Sequence, residues 1–174
     1  MRRALAALVV ALPLALAALV AAPAPARADF RFGVSVEGGG LVGPQPAGMG
    51  GLALRIGFDI AGPVSLFAQS HGFVGRLTTG PHEGTAQGLM WNTLMLDLHF
   101  GPLHVGAGPS VDLAWGCSAG NGPTQGCVNG APLFGLDGRV ALQFGHVMIS
   151  ADVHPTWVND QIVTGIVAGI GWEL

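Results

Sequence analysis

Lysine is missing from this chain, and cations of any kind are scarce. Of 174 residues only seven are basic, all of them arginine, against ten Asp and Glu. Arg2, Arg3 and Arg27 precede Asp29; Arg31, Arg55, Arg76 and Arg139 are dispersed over the rest. From Asp29 onward four arginines therefore face ten carboxylates, a formal charge of −6. No basic patch for phosphates can be assembled from them, which argues against nucleic acid as a partner. Cysteine is nearly absent too. Cys117 and Cys127 stand ten apart, which excludes a thioredoxin-like CxxC and leaves no second thiol pair for zinc. After residue 28 no apolar run is long enough for a membrane helix, so a mature chain in a membrane must cross it as strands. The glycines of Gly38 to Gly40 and Gly50-Gly51 lack the lysine and the following helix of a phosphate cradle, and read as flexible loop.

What is present begins with a targeting segment. Half the residues are hydrophobic, a tenth are charged, and mean hydropathy is +0.54. Part of that apolarity sits at the start: Met1-Arg2-Arg3, an Ala- and Leu-rich run from Ala4 to Ala21, then Pro23-Ala24-Pro25-Ala26-Arg27-Ala28. A basic start, an apolar stretch and a small-residue Ala-x-Ala site make residues 1–28 a secretory signal peptide, cut before Asp29. Residues 29–174 are of single-domain size.

The rest alternates. In the last segment, Gln161 to Leu174, Ile166, Ala168, Ile170, Trp172 and Leu174 share one face, and Gly165, Val167, Gly169, Gly171 and Glu173 the other. Strand side chains point to opposite faces in turn, so this is a strand with two different surroundings. The same period recurs in Asp29–Gly38, Gly51–Ala61, Val64–Val74, Leu89–Phe100, Leu103–Trp115, Pro132–Phe144 and Val147–Val158. Eight strands follow, with Pro109 demanding a bulge or bend inside the fifth. Gly39–Gly50, Arg76–Gly88 and Gly116–Ala131 read as long loops; Gly62-Pro63, Gly101-Pro102 and Gly145-His146 read as tight turns. Asn159-Asp160 is a short connection that departs from this rhythm. Alternating long and short connections suit an antiparallel, up-and-down transmembrane β-barrel, with long loops outside and both termini in the periplasm. The outward rings then sort into two belts. Phe30, Phe58, Phe100, Phe144 and Trp172 fall near periplasmic ends, and Trp115, Phe134 and Trp157 near extracellular ends.

The signal peptide, the eight short amphipathic strands and the closing IVAGIGWEL together resemble the small bacterial outer-membrane barrels of the OmpA/OmpX type. In that family the final residue is usually Phe; here it is Leu174, with Trp172 two before it. The resemblance implies export through the periplasm, escort by periplasmic chaperones, insertion by the barrel-assembly machinery, and a lipid bilayer as principal partner of a monomer. It brings no catalytic motif.

Chemistry is expected in the interior. The inward set is Arg31, Glu37, Arg55, Asp59, His71, Asp97, His99, His104, Asp112, Asp137, Arg139, Asp152, His154 and Glu173. Strand direction places Arg31, Asp59, His99, His104, Arg139 and Glu173 in the periplasmic half, and Glu37, Arg55, His71, Asp112, Asp152 and His154 in the other. Glu37 with Arg55, and Arg31 with Glu173, are the expected pairs. Eight strands leave an interior just wide enough for side chains to fill, and buried charges there must be matched. A polar core without an open pore is the reading; a narrow gated pore is its rival. His71, Asp112, Asp152 and His154 would suit zinc or copper, but without tight ligand spacing no metal or cofactor is assigned. Ser, His and Asp are available for a lipid hydrolase, yet they face away from lipid, so no enzyme is assigned either. Cys117 and Cys127 share one loop in an oxidising compartment, where a disulfide is the default. The functional expectation is a structural or surface-interaction protein of the cell envelope, its loop ligand open.

Overall fold

The computed structural model describes residues 29–43, 46–77, 86–118, 126–129, 132–158 and 161–174. The expected signal peptide lies outside them. Among the described residues there are nine strands: β1 (Phe30–Val42), β2 (Ala47–Ala61), β3 (Val64–Leu77), β4 (Ala86–Phe100), β5 (Leu103–Ser118), β6 (Gly126–Asn129), β7 (Leu133–Phe144), β8 (Val147–Val158) and β9 (Gln161–Glu173). Eight of them form one antiparallel ring. Neighbours in the chain pair with each other, β5 pairs β7, and β1 closes on β9. The short β6 folds back on the end of β5 outside the ring. This is the eight-stranded up-and-down barrel read from the alternation.

The alternation works because each strand has one face for each environment. Phe100, Phe144 and Trp172 lie on the exposed outside, whereas Arg55, Asp97 and Arg139 are at most 2% exposed. The outer wall is largely apolar, including Leu52, Ile56, Leu94, Val140, Ile149 and Ile170, and is interrupted by Ser70 and Asn92, which bond each other at 2.9 Å. Tight turns at one end need a left-handed residue, and Gly62, Gly101 and Gly145 supply it with φ of 52°, 61° and 62°. That turn end also carries the start of β1 and the end of β9; the strand ends Val42, Ala47, Leu77, Ala86, Val158 and Gln161, together with β6, lie at the other, loop end.

Three expectations change. The strands run longer than expected, and the supposed loop Gly39–Gly50 is mostly strand, leaving a connection of 43–46. Glycine favours close backbone approach as readily as a loop. A Cβ at Gly39 would collide with the backbone of Ile166 and Val167, and one at Gly51 with that of Gly72. The loop Gly116–Ala131 likewise contains strand, the end of β5 and all of β6. Pro109 produces no register-shifting bulge. Thr93 faces Ser110 and Leu96 faces Ala107 in one unbroken register, with the bridges to Gly108 and Pro109 missing between them. On the β7 side Pro109 stays in register with Leu136. The proline costs a local piece of one ladder, since it has no N–H to donate.

Candidate functional site

The lumen holds nearly all the polar chemistry, and it is built in two halves. At the turn end the organising residues are arginines. Gly33 on β1 lies in register with Arg55 on β2 and with Glu173 on β9. With no side chain between them, Arg55 reaches across to Glu173 at 3.0 Å and bonds Asp97 at 3.3 Å. Its guanidinium sits 4.0 Å from the centroid of the Phe67 ring, a cation–π arrangement in a site that excludes water. Glu173 also accepts from Arg31 at 2.9 Å, and Arg31 reaches Gln143 at 3.0 Å and lies 3.6 Å from Asp59. His104 lies 3.2 Å from Asp97, and Ser65 donates to Asp59 at 2.5 Å. The mouth here is a polar cup of about 430 Å³ lined by Arg31, Asp59, His99, His104 and Gln143.

Towards the loop end, carboxylates and histidines take over. Ser35 donates to Glu37 at 2.8 Å, and Glu37 holds His71 Nδ1 at 2.6 Å. Asp112 holds His154 Nε2 with both oxygens at 3.0 Å and accepts from Thr156 at 2.6 Å. Between the two rings stands Asp137, 3.8 Å from His71 Nε2 and 3.7 Å from His154 Nδ1. Thr93 donates to Asp137, and Arg139 spans Gln69 at 3.2 Å and Asp152 at 3.5 Å. Above this layer the lumen is shut by an apolar plug. Phe73, Trp91 and Val167 are buried together, with Leu41, Met49 and Leu89 packed on them. Trp91 stacks flat on His154, centroids 4.1 Å apart, over Gly165, where a Cβ would overlap the indole. Outside the plug a smaller cup of about 260 Å³ is lined by Leu41, Ala47, Met49, Phe73 and Leu89.

The expected pairings fare unevenly. Arg31 does reach Glu173. Glu37 does not pair with Arg55: it is engaged by Ser35 and His71, and Arg55 belongs with the turn-end carboxylates. Counting along each strand separately misses the stagger between tilted strands and the reach of a guanidinium over a glycine. Arg139, expected at the turn end, lies opposite Asp152 in the ladder and bridges the two halves. The four residues expected to converge do so in two pairs, His154 with Asp112 and His71 near Asp152, with Asp137 between them. Sequence reasoning left Trp91 unassigned, although it shares parity with Thr93 and so faces inward. Phe30, Phe58, Phe100, Trp115, Phe134, Phe144, Trp157 and Trp172 all lie on the outer wall. Phe30 faces Phe58 at the turn end and Phe134 faces Trp157 at the other.

Ser110, His154 and Asp112 also meet, but not as a nucleophile relay. Ser110 lies 3.2 Å from His154 Nε2, the same nitrogen that Asp112 holds. A relay needs serine and carboxylate on opposite ring nitrogens.

An apolar wall around a charged, side-chain-filled interior, closed through eight antiparallel strands, is the fold of the small outer-membrane barrels. Among solved structures, the chain is similar to Ail, the attachment invasion locus protein of Yersinia pestis. Identity is 12%, the match covers 86% of this chain and 100% of Ail, and the TM-score is 0.56. It is similar also to Neisserial surface protein A, at 11% identity over 82% of this chain and 96% of the other, with a TM-score of 0.53. Identities this low establish the fold alone. No protein-family model matches the chain, and no curated protein does.

Proposed function

We propose that residues 29–174 form a monomeric barrel of the bacterial outer membrane with a structural or surface-interaction role and no enzymatic activity. Residues 1–28 are its cleaved signal peptide. The observation that carries this reading is the pairing of a largely apolar exterior with a plugged lumen. Exposed aliphatic and aromatic side chains cover the wall at every height, a surface that water disfavours and lipid accepts. Closure pairs every strand of the ring on both sides and leaves the four-residue β6 as the edge strand among the described residues, which supports the monomer. The Phe73–Trp91–Val167 plug and the Arg55–Glu173 layer support a filled core over a pore. Burial of Ser110 and Asp112 beneath the plug, with both on one histidine nitrogen, supports a non-enzymatic role over a lipid hydrolase.

The loop end is the surface offered to the exterior. Cys117 and Cys127 face each other in the β5–β6 ladder, a separation across antiparallel strands that a disulfide spans. We assign them to one staple that holds β6 against β5. Ail is known in complex with the heparin analogue sucrose octasulfate. A chain without lysine and with a charge of −6 after Asp29 is ill suited to a polysulfate, so its loop partner is of a different chemistry. The test has two parts. The protein should fractionate with outer membranes and migrate differently on gels before and after boiling, and it should give no discrete openings in planar bilayers. Recovery in the soluble periplasmic extract overturns the membrane assignment; repeated unitary conductance overturns the filled core in favour of the pore.

A further inference from the structure

The loop-end half of the lumen is short of positive charge. Glu37, Asp112, Asp137 and Asp152 are all buried there, and Arg139 is the arginine within reach. Even with His71 and His154 both protonated, three positive charges face four negative ones. A buried carboxylate without a counter-charge is costly, whereas the turn-end half has arginines on each of its carboxylate groups. The missing charge has a place to sit. One ring nitrogen of His71 and one oxygen from each of Asp137 and Asp152 lie within 4.8 Å of one another, all three residues buried, and His71 Nε2 is 3.8 Å from Asp137. Asp152 Oδ2 has no hydrogen-bond partner; nor has Asp137 Oδ1, which lies towards an equally unpartnered His154 Nδ1, while Asp137 Oδ2, beside His71 Nε2, accepts from Thr93.

The hydrogen bonds around this cluster orient it further. A carboxylate only accepts, so Glu37 fixes the proton of His71 on Nδ1 and turns the lone pair of Nε2 towards Asp137 and Asp152. The Gln69 amide group contacts the same Nε2 and donates to it. A carboxylate behind a histidine whose other nitrogen looks into a donor cluster is the arrangement that orients metal-bound imidazoles. Ser35 in turn steadies Glu37, and Arg139 takes the other oxygen of Asp152, leaving Oδ2 free. In a tetrahedral zinc site, donor atoms stand about 3.4 Å apart. The His71 Nε2 to Asp137 Oδ2 separation is 3.8 Å and all three donors lie within 4.8 Å of one another, so the site contracts by at most about 1.4 Å around the ion.

We propose that the lumen binds one divalent transition ion, zinc by donor chemistry, through His71 Nε2, Asp137 and Asp152. Gln69 turns away from Nε2 to admit it, Thr93 orients Asp137 by its hydrogen bond to Oδ2, and His154 Nδ1 lies 3.7 Å from Asp137 Oδ1. The ion is structural. It is sealed beneath Trp91 and Phe73 and enters as the barrel closes, so it staples β3, β7 and β8 together. One imidazole, two carboxylates and a position for water fit zinc better than magnesium or calcium, which favour all-oxygen shells.

The test uses the full mature chain, unfolded with chelator and refolded in detergent with or without Zn²⁺, then dialysed. About one zinc per chain should remain, the thermal midpoint should rise with metal, and Co²⁺ in its place should give the visible bands of a tetrahedral N/O site. His71→Gln and Asp152→Asn should each lower retained metal at least tenfold, while His146→Gln, on a turn outside the lumen, should leave it unchanged. Gel mobility before and after boiling reports which variants still fold. If wild-type barrel refolded with zinc keeps less than a tenth of an equivalent, the site is not a metal site and a proton on one carboxylate balances the charge. If zinc is retained equally by folded wild type and both variants, the binding is adventitious and the proposal fails.

Discussion

The two halves of the lumen solve the same problem with different chemistry. At the turn end, Arg31 and Arg55 each bridge two carboxylates, and Glu173 is shared between them. A guanidinium is always charged and has five donors in a fixed fork, so every carboxylate of this half, Asp59, Asp97 and Glu173, has a permanent cation beside it. At the loop end the partners of the carboxylates are mostly histidine, serine and threonine. Those groups orient carboxylates well and neutralise them poorly. The same barrel therefore has one half held by arginine ion pairs and one half whose carboxylates rest mainly on hydrogen bonds from neutral groups and imidazoles. It also has one wet mouth and one greasy one, a polar cup at the turns and an apolar plug below the loops.

The sharpest way to break the contrast is Glu173→Ala. It leaves Arg31 and Arg55 short of their shared partner in a sealed site, and unfolding in urea should show a loss of about 3–5 kcal/mol. A loss under about 1 kcal/mol would mean that the turn-end ion pairs do not hold this half together. Next is Cys117→Ser, which acts at the loop end alone and should cost about 2–3 kcal/mol in oxidised protein. Reductant should bring wild type to the same value, and an unchanged midpoint on reduction would remove the staple.

Two glycines compare the halves directly. Gly165→Ala drives a methyl group into the Trp91 ring, which is fixed between Phe73 and His154. It should destabilise by about 1–3 kcal/mol through overpacking. Gly33→Ala presses on Glu173 at 3.2–3.3 Å, near the end of a flexible side chain. Its cost should be smaller, and equal losses in thermal gel-shift assays would erase the distinction between the overlap at Gly165 and the looser contact at Gly33. The smallest effect is expected from Ser65→Ala. Water at the open turn-end mouth can replace the lost donor to Asp59, so about 0.5–1 kcal/mol is expected.

The strand faces of Arg55, His71 and Asp112 are legible because a period of two is a local property of the chain. The same parity, carried two residues back from Thr93, would have placed Trp91 inside. The glycine-rich stretch around Gly39 is harder. Loop and crowded strand share that composition, and only the position of Ile166 and Val167 decides between them. Pro109 shows a similar limit: the missing N–H is visible in the sequence, but which neighbour loses the bond is set by the ladder with β4.

Alternation, turn glycines and the outward rings determined that eight strands curl into a barrel with an apolar wall, because each of those signals is written within a few residues. Partnership was decided by the closed structure. Arg55 finds Glu173 rather than Glu37 because strand stagger and the bare backbone of Gly33 set which side chains share a level. His71, Asp137 and Asp152 come from three different strands and meet across the lumen. Distances across a cylinder depend on tilt and shear, which are properties of the whole ring and of no single strand.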